Sequence, residues 1–233
     1  MKRIMFALAT VGALVGGGAL AMQLSNDTSD GGRVLHPQRI VIGLDLSRSN
    51  PLIADPAFAA RVADRVADIV RNLDFSSEVH VRTFGSYDPT SNNFAYDVVL
   101  SVRNRPEVVA AQVQKLIAGT PLLVRNGKWR AQENTNILAF LDNVAQSIGC
   151  SGKPTTIVLA SDGIEDSDYT RLTRRDSHLP GPGGRLFQGC ASFEIYGLGQ
   201  GTDDPRMTTH LRQEWSNWAR GAGFARFQGL NDW

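Results

Sequence analysis

Two short apolar runs constrain this chain more than any other feature. Residues 39–46 (RIVIGLDL) carry Asp45 near their end, and Thr155–Ala160 (TTIVLA) run straight into Ser161-Asp162-Gly163. Both are too short for a self-burying helix and rich in β-branched residues. Neither alternates with polar residues. That pattern belongs to strands inside a parallel sheet, with helices covering both faces.

The rest of the chain supplies those helices. Asp55-Pro56 reads as an Asp N-cap with Pro at the first helical position, and Phe58, Val62, Val66, Ile69 and Val70 follow at helical spacing. Residues 78–84 (EVHVRTF) and 94–102 alternate like strands, the second after a turn rich in Asp, Pro, Ser and Asn. Residues 106–117 form a helix that Gly119-Thr120-Pro121 breaks. Residues 136–148 place Ile137, Phe140, Leu141, Val144 and Ile148 on one face. Residues 164–189, which contain PGPGG, read as an irregular surface excursion. A strand at 192–198, a helix at 207–221 with Leu211, Trp215 and Trp218 on one face, and a short strand at 223–228 close the sequence. Strands alternating with helices predict the α/β class: a doubly wound, Rossmann-like, mostly parallel sheet flanked by helices.

The first 21 residues have a different character. Lys2 and Arg3 precede an uncharged stretch, 4–22, rich in Ala, Gly, Val and Leu, and Ala19-Leu20-Ala21 is an A-x-A-like cleavage pattern. Residues 1–21 therefore read as a secretory signal peptide; the rival reading is an uncleaved N-terminal anchor, since 19 apolar residues can just span a bilayer. Either reading exports the protein to the periplasm or cell envelope. Residues 22–38 are a polar linker, which leaves 39–233 as the folded domain. The formal net charge is +1 and no basic run is present, so composition gives no case for a nucleic-acid partner.

The chemistry gathers where strands end. Asp45, Ser47 and Ser49 form D-x-S-x-S as the chain leaves the first strand, Asp162 follows TTIVLA, and Thr135 precedes the 136–148 helix. Ligands of open α/β sheets bind beyond the carboxyl ends of the strands, where strand order reverses. If the two runs are neighbours there, these five groups meet in one crevice. Two carboxylates and three hydroxyls are hard oxygen donors suited to Mg²⁺ or Mn²⁺, not to zinc.

With these residues in hand, residues 39–228 resemble the von Willebrand factor A (vWA) family and its metal-ion-dependent adhesion site. In that family D-x-S-x-S follows the first strand, a Thr precedes a helix, and an Asp, often as D-G, ends the fourth strand. Asp45, Ser47, Ser49, Thr135 and Asp162 match all five positions. The resemblance implies that Ser47, Ser49 and Thr135 offer hydroxyls to the metal while Asp45 and Asp162 act largely through water. It also implies a binding module that accepts an Asp or Glu carboxylate from a protein partner, in adhesion or envelope assembly. Arg48, Asn50, Asn134, Asn136 and Glu165 would line the partner-binding rim. Glu133-Asn134 replaces glycines common before the Thr. Cys150 and Cys190 precede strands that are parallel neighbours in the family's sheet, so a disulfide between them is expected, against the alternative of two buried free thiols.

The rival class is a metal-assisted hydrolase in the same crevice. Against it, the sequence has no G-x-S-x-G, no His near the motif and no Cys–His pair, so the domain is read as a non-enzyme. A third reading is a metal-independent scaffold. Glu165, Asp166 and Asp168 read mainly as a solvated acidic loop, and His36, His80, His178 and His210 are scattered.

Overall fold

The computed structural model describes residues 34–86, 94–174, 176–202 and 204–233. The expected signal peptide, most of the linker and the turn before Phe94 lie outside the described residues. Residues from Leu35 to Trp233 form one compact unit.

Six strands make a single sheet in the order β3-β2-β1-β4-β5-β6. They are β1 (Arg39–Asp45), β2 (Glu78–Phe84), β3 (Ala95–Val99), β4 (Thr155–Ala160), β5 (Cys190–Tyr196) and β6 (Phe227–Leu230). All neighbours are parallel except β3, which pairs antiparallel with β2 at one edge. The doubly wound α/β expectation holds. Chain order runs outward from β1 in both directions, so the β1–β4 seam is the switch point.

Helices cover both faces. They are α1 (Pro51–Ala54), α2 (Pro56–Arg71), α3 (Pro106–Ala118), α4 (Thr120–Arg125), α5 (Ile137–Ser147) and α6 (Pro205–Ala222). Alternate residues of β1 feed two cores: Ile40, Ile42 and Leu44 pack with α2 and α3, while Val41 packs on the side of α5 and α6. In α2, Phe58, Val62, Val66 and Val70 recur every fourth residue and are fully buried. Each such side chain contributes about 1.5–3 kcal/mol. Gly43 sits where α5 presses closest: a Cβ there would lie 2.6 Å from Leu159 and 2.9 Å from Phe140, so a side chain would push the helix off the strand.

Some boundaries differ from the sequence reading. β3 stops at Val99 because the chain turns at once, with Ser101 N–H donating to the Asn104 carbonyl. β5 ends at Tyr196 because Gly197 takes φ of 108°, which breaks the extended run. Gly119 does end α3, but α4 starts immediately after it. The excursion at 164–189 is irregular as expected, yet it buries Leu172 and Phe187 against the α5–α6 core. Among the described residues no helix is long and apolar enough to cross a membrane.

Cys150 and Cys190 are bonded, with Cα atoms 5.0 Å apart. The bridge ties the turn before β4 to the first residue of β5, as their placement before adjacent strands led us to expect.

At the opposite side of β1's first residue, Glu78 accepts from Arg39 Nε and Lys153 Nζ, each at 2.6 Å. Partial burial alone would raise its pKa, but those two hydrogen bonds and charges outweigh it and bring the carboxyl down to about 2. A lowered carboxylate pKa stabilises the fold above the ordinary value of 4.5 and loses that contribution as pH falls through about 2. Glu78→Gln is therefore expected to be less stable than the parent at pH 7 by about 1 kcal/mol after solvent screening. Thermal melts of parent and variant should converge as the pH is lowered through that window.

Candidate functional site

The crevice forms because β1 and β4 end side by side and then diverge. Leu44 pairs with Ala160, so Asp45 and Ser161-Asp162 leave the sheet together. Asn50 fastens this seam: its Nδ2 donates to the Asp45 carbonyl at 2.7 Å and the Ala160 carbonyl at 3.0 Å. Its Oδ1 caps α1 by accepting from Leu52 N–H.

Asp45 is fully buried, and both its oxygens are used. Oδ1 accepts from Ser47 N–H at 2.8 Å and Oδ2 from Ser161 Oγ at 2.7 Å. The Ser47 and Ser49 hydroxyl oxygens stand 3.4 Å apart. Asp162 is equally buried, and its Oδ1 accepts from Ile164 N–H at 2.9 Å. Its Oδ2 is buried with no hydrogen-bond partner. Burial first, and then Asp162's charge, raise the pKa of Asp45; burial likewise raises that of Asp162, against the pull of Ile164 N–H and the Ser49 hydroxyl. Two buried carboxylates side by side, one with an unmet oxygen, form a place that favours added positive charge.

The segment that carries Thr135 is tied to the loops of this crevice by two backbone ladders. Gln132 accepts from Arg48 N–H and donates to the Leu46 carbonyl, which makes a short parallel bridge between the D-x-S-x-S loop and the segment before α5. Thr135 and Asp166 exchange N–H···O bonds of 3.1 and 2.9 Å, joining that segment to the loop after Asp162. Gly85 permits the arrangement, since a Cβ there would meet Gln132 Cγ at 2.4 Å. The three loops that carry the five predicted residues are thus hydrogen-bonded to one another.

The expected rim needs correction. Arg48 and Asn134 are exposed, and Arg48 pairs with Glu133 at 2.7 Å across the mouth. Asn136 is half-buried and caps α5 by accepting from Ala139 N–H. Asn50 and Glu165 are not on the rim: they are 1% and 0% exposed. Asn50 serves the strand seam. Glu165 Oε2 accepts from Ile137 N–H at 2.7 Å and Leu138 N–H at 3.2 Å, the first two free donors of α5, and its Oε1 accepts from Ser167 Oγ at 2.5 Å. Burial, eased by these bonds, raises its pKa to about 7. Asp168 and Tyr169 are exposed on the same loop.

Sequence reasoning missed Ser161, Gln132 and the structural use of Asn50 and Glu165. Only Asn50-Pro51 carried a local signal, an Asn N-cap before Pro at the first helical position. Among the described residues no three His, Cys, Asp or Glu come together to hold a metal, so a cation here would lean on hydroxyls and water beside two carboxylates. The unmet Asp162 Oδ2 and the paired serine hydroxyls fit such a cation.

Fold and site together define a doubly wound α/β domain with an oxygen-lined crevice at its switch point. No protein-family model and no curated protein matches the chain. Among solved structures it is similar to the SpaC pilus adhesin from Lactobacillus rhamnosus GG, at 16% identity and a TM-score of 0.47, over 86% of this chain and 29% of the adhesin. It is also similar to BatB, a conserved hypothetical protein from Bacteroides thetaiotaomicron, at 15% identity and a TM-score of 0.41, over 84% of this chain and 91% of that one. The chain thus spans under a third of the adhesin's length. At these scores the topology stands on its own strand order and not on the likeness.

Proposed function

We propose that this is an exported vWA-type binding domain that uses Mg²⁺ or Mn²⁺ at the crevice to engage a carboxylate of a protein partner. The observation that carries the reading is the meeting of Asp45, Ser47 and Ser49 with Asp162 and its unpartnered Oδ2 at the β1–β4 switch point. Ser47, Ser49 and Thr135 would hold the ion by their hydroxyls. Asp45, whose oxygens already serve Ser47 and Ser161, would act through water. A cation held mainly by neutral oxygens keeps much of its positive charge, so it supplies a strong electrostatic attraction for an incoming carboxylate. Arg48, Glu133 and Asn134, exposed around the mouth, would select the partner's flanking residues. The disulfide supports export, since such bonds persist in oxidising compartments.

Calorimetric titration of the folded domain with Mg²⁺ or Mn²⁺ should show one site. Asp162→Asn keeps the acceptor for Ile164 N–H and removes one of two adjacent buried charges. It should therefore lose the heat of binding, yet melt at or above the parent's temperature when both are in chelator. Partner capture from an envelope fraction should require both the cation and the intact site. Retention of full metal affinity by Asp162→Asn would sink the assignment. Capture insensitive to chelator would favour the scaffold reading.

A further inference from the structure

The end of the sheet away from the crevice carries its own surface. Exposed apolar side chains on its loops include Leu35 before β1, Phe75 between α2 and β2, and Val102 after β3, at 44%, 40% and 71% exposure. They are not scattered. His36 N–H donates to the Asp74 carboxylate at 2.9 Å, Ser76 N–H to the Leu100 carbonyl at 2.8 Å, and Leu100 N–H to the Ser77 carbonyl at 2.8 Å. Those bonds hold the three loops against each other at one end of the sheet. Ser76, directly after Phe75, is the one non-glycine among the described residues with positive φ, at 65°. The chain accepts backbone strain where Phe75 is presented.

Charge accompanies the apolar tips. Arg103 and Arg105, beside Val102, are exposed, and no hydrogen bond or ion pair holds either side chain among the described residues. Seven residues of β1 place this end about 20 Å from Asp45. It is also the end at which the chain arrives from residues 23–34, twelve residues after the uncharged stretch 4–22. Twelve residues reach at most about 40 Å.

We propose that this end of the domain docks on an anionic lipid surface, with Leu35, Phe75 and Val102 inserted shallowly and Arg103 and Arg105 on the headgroup phosphates. Three apolar tips flanked by free arginines suit shallow insertion, in which guanidinium heads stay at the polar interface while apolar groups enter below. A stable protein interface would need a broader contiguous surface than three tips supply. So small a contact is weak alone; with residues 4–22 kept as an uncleaved anchor, a tether of this length would raise its effective concentration at the bilayer. Docking in this way turns the crevice outward. The inference is independent of whether the crevice binds a cation.

The test uses the full chain with vesicles of phosphatidylglycerol and phosphatidylcholine. Because the native cysteines are joined, Val102→Cys and, separately, Glu133→Cys each give one free thiol for an environment-sensitive fluorophore. The label at position 102 should shift to the blue and lose intensity when nitroxide lipids are included, and the label at 133 should do neither. Adding Phe75→Asp together with Arg103→Gln and Arg105→Gln should abolish the response at 102 while circular dichroism stays unchanged. A label at 102 that ignores the nitroxide lipids overturns the proposal. So does equal quenching at both positions, or quenching at 102 that survives those three substitutions.

Discussion

Replacing both Cys150 and Cys190 by serine is expected to lower the unfolding free energy by about 4 kcal/mol. The bridge closes a loop with a sequence separation of 40 residues, and removing that constraint from the unfolded chain carries this cost in the chain-entropy model. Denaturant melts of the parent with and without reductant, and of the double variant, measure it. Reduced parent and double variant should coincide at the lower midpoint, and denatured oxidised protein should expose no free thiol to label. Equal midpoints throughout would show that packing at the strand ends already restricts the loop. The functional consequence follows from what the loop contains: β4, Asp162 and Glu165 all lie between the two cysteines. Reduction should therefore weaken cation binding at temperatures where most of the sheet still stands.

The second large effect is expected at Glu165, a residue whose importance lies in what it caps. Glu165→Ala removes the acceptor for two buried α5 donors, Ile137 N–H and Leu138 N–H, and nothing adjacent can replace it, since Asn136 already serves Ala139. At about 1–3 kcal/mol for each buried donor left unmet, a loss of about 3 kcal/mol is expected, which lowers Tm by about 10 °C in a domain this size. Glu165→Gln keeps an acceptor oxygen and should cost far less. The two also differ in pH dependence. Glu165 has a raised pKa of about 7, so its protonated form fits the buried site, and the parent loses that contribution as pH rises through that value. Glutamine does not titrate, so the Gln variant should gain on the parent as pH rises from about 4.5 to about 7 and hold that gain above it. A Glu165→Ala protein as stable as the parent would mean that α5 finds another cap.

The bridge and Glu165 show what the sequence could and could not disclose. Periodicity exposed β1 and β4, because strands buried on both faces must be apolar throughout, and it exposed α2, because a helix covering a sheet needs an apolar stripe. The cap at Asp55 was legible because capping is settled within three residues. The convergence of Asp45 with Asp162 was legible once both strands were recognised, since strand ends at a switch point must share a crevice. Glu165 was misread for the converse reason. Its partners lie 28 and 27 residues away, and a carboxylate in an acidic loop looks solvated until the fold supplies a helix end. Ser161 likewise bonds Asp45 across 116 residues, and no local pattern distinguishes it from an ordinary turn serine.

The position of β1 bears on how this domain would carry tension. The chain comes in at the foot of that strand, and the same strand delivers Asp45 to the crevice seven residues later. A pull between a molecule gripped at the crevice and the segment before Leu35 would run along β1 itself. Seven residue pairs to β2 and six to β4 flank it on either side, all parallel. Loaded lengthwise, such a strand cannot be peeled away one rung at a time; the bonds on both sides are sheared together and must yield together. A grip at the edge strand β6, held by four pairs on one side only, would instead unzip in sequence. Along the line that joins the leading segment to the crevice, load would thus be shared by both flanks of β1, as it would not be at β6.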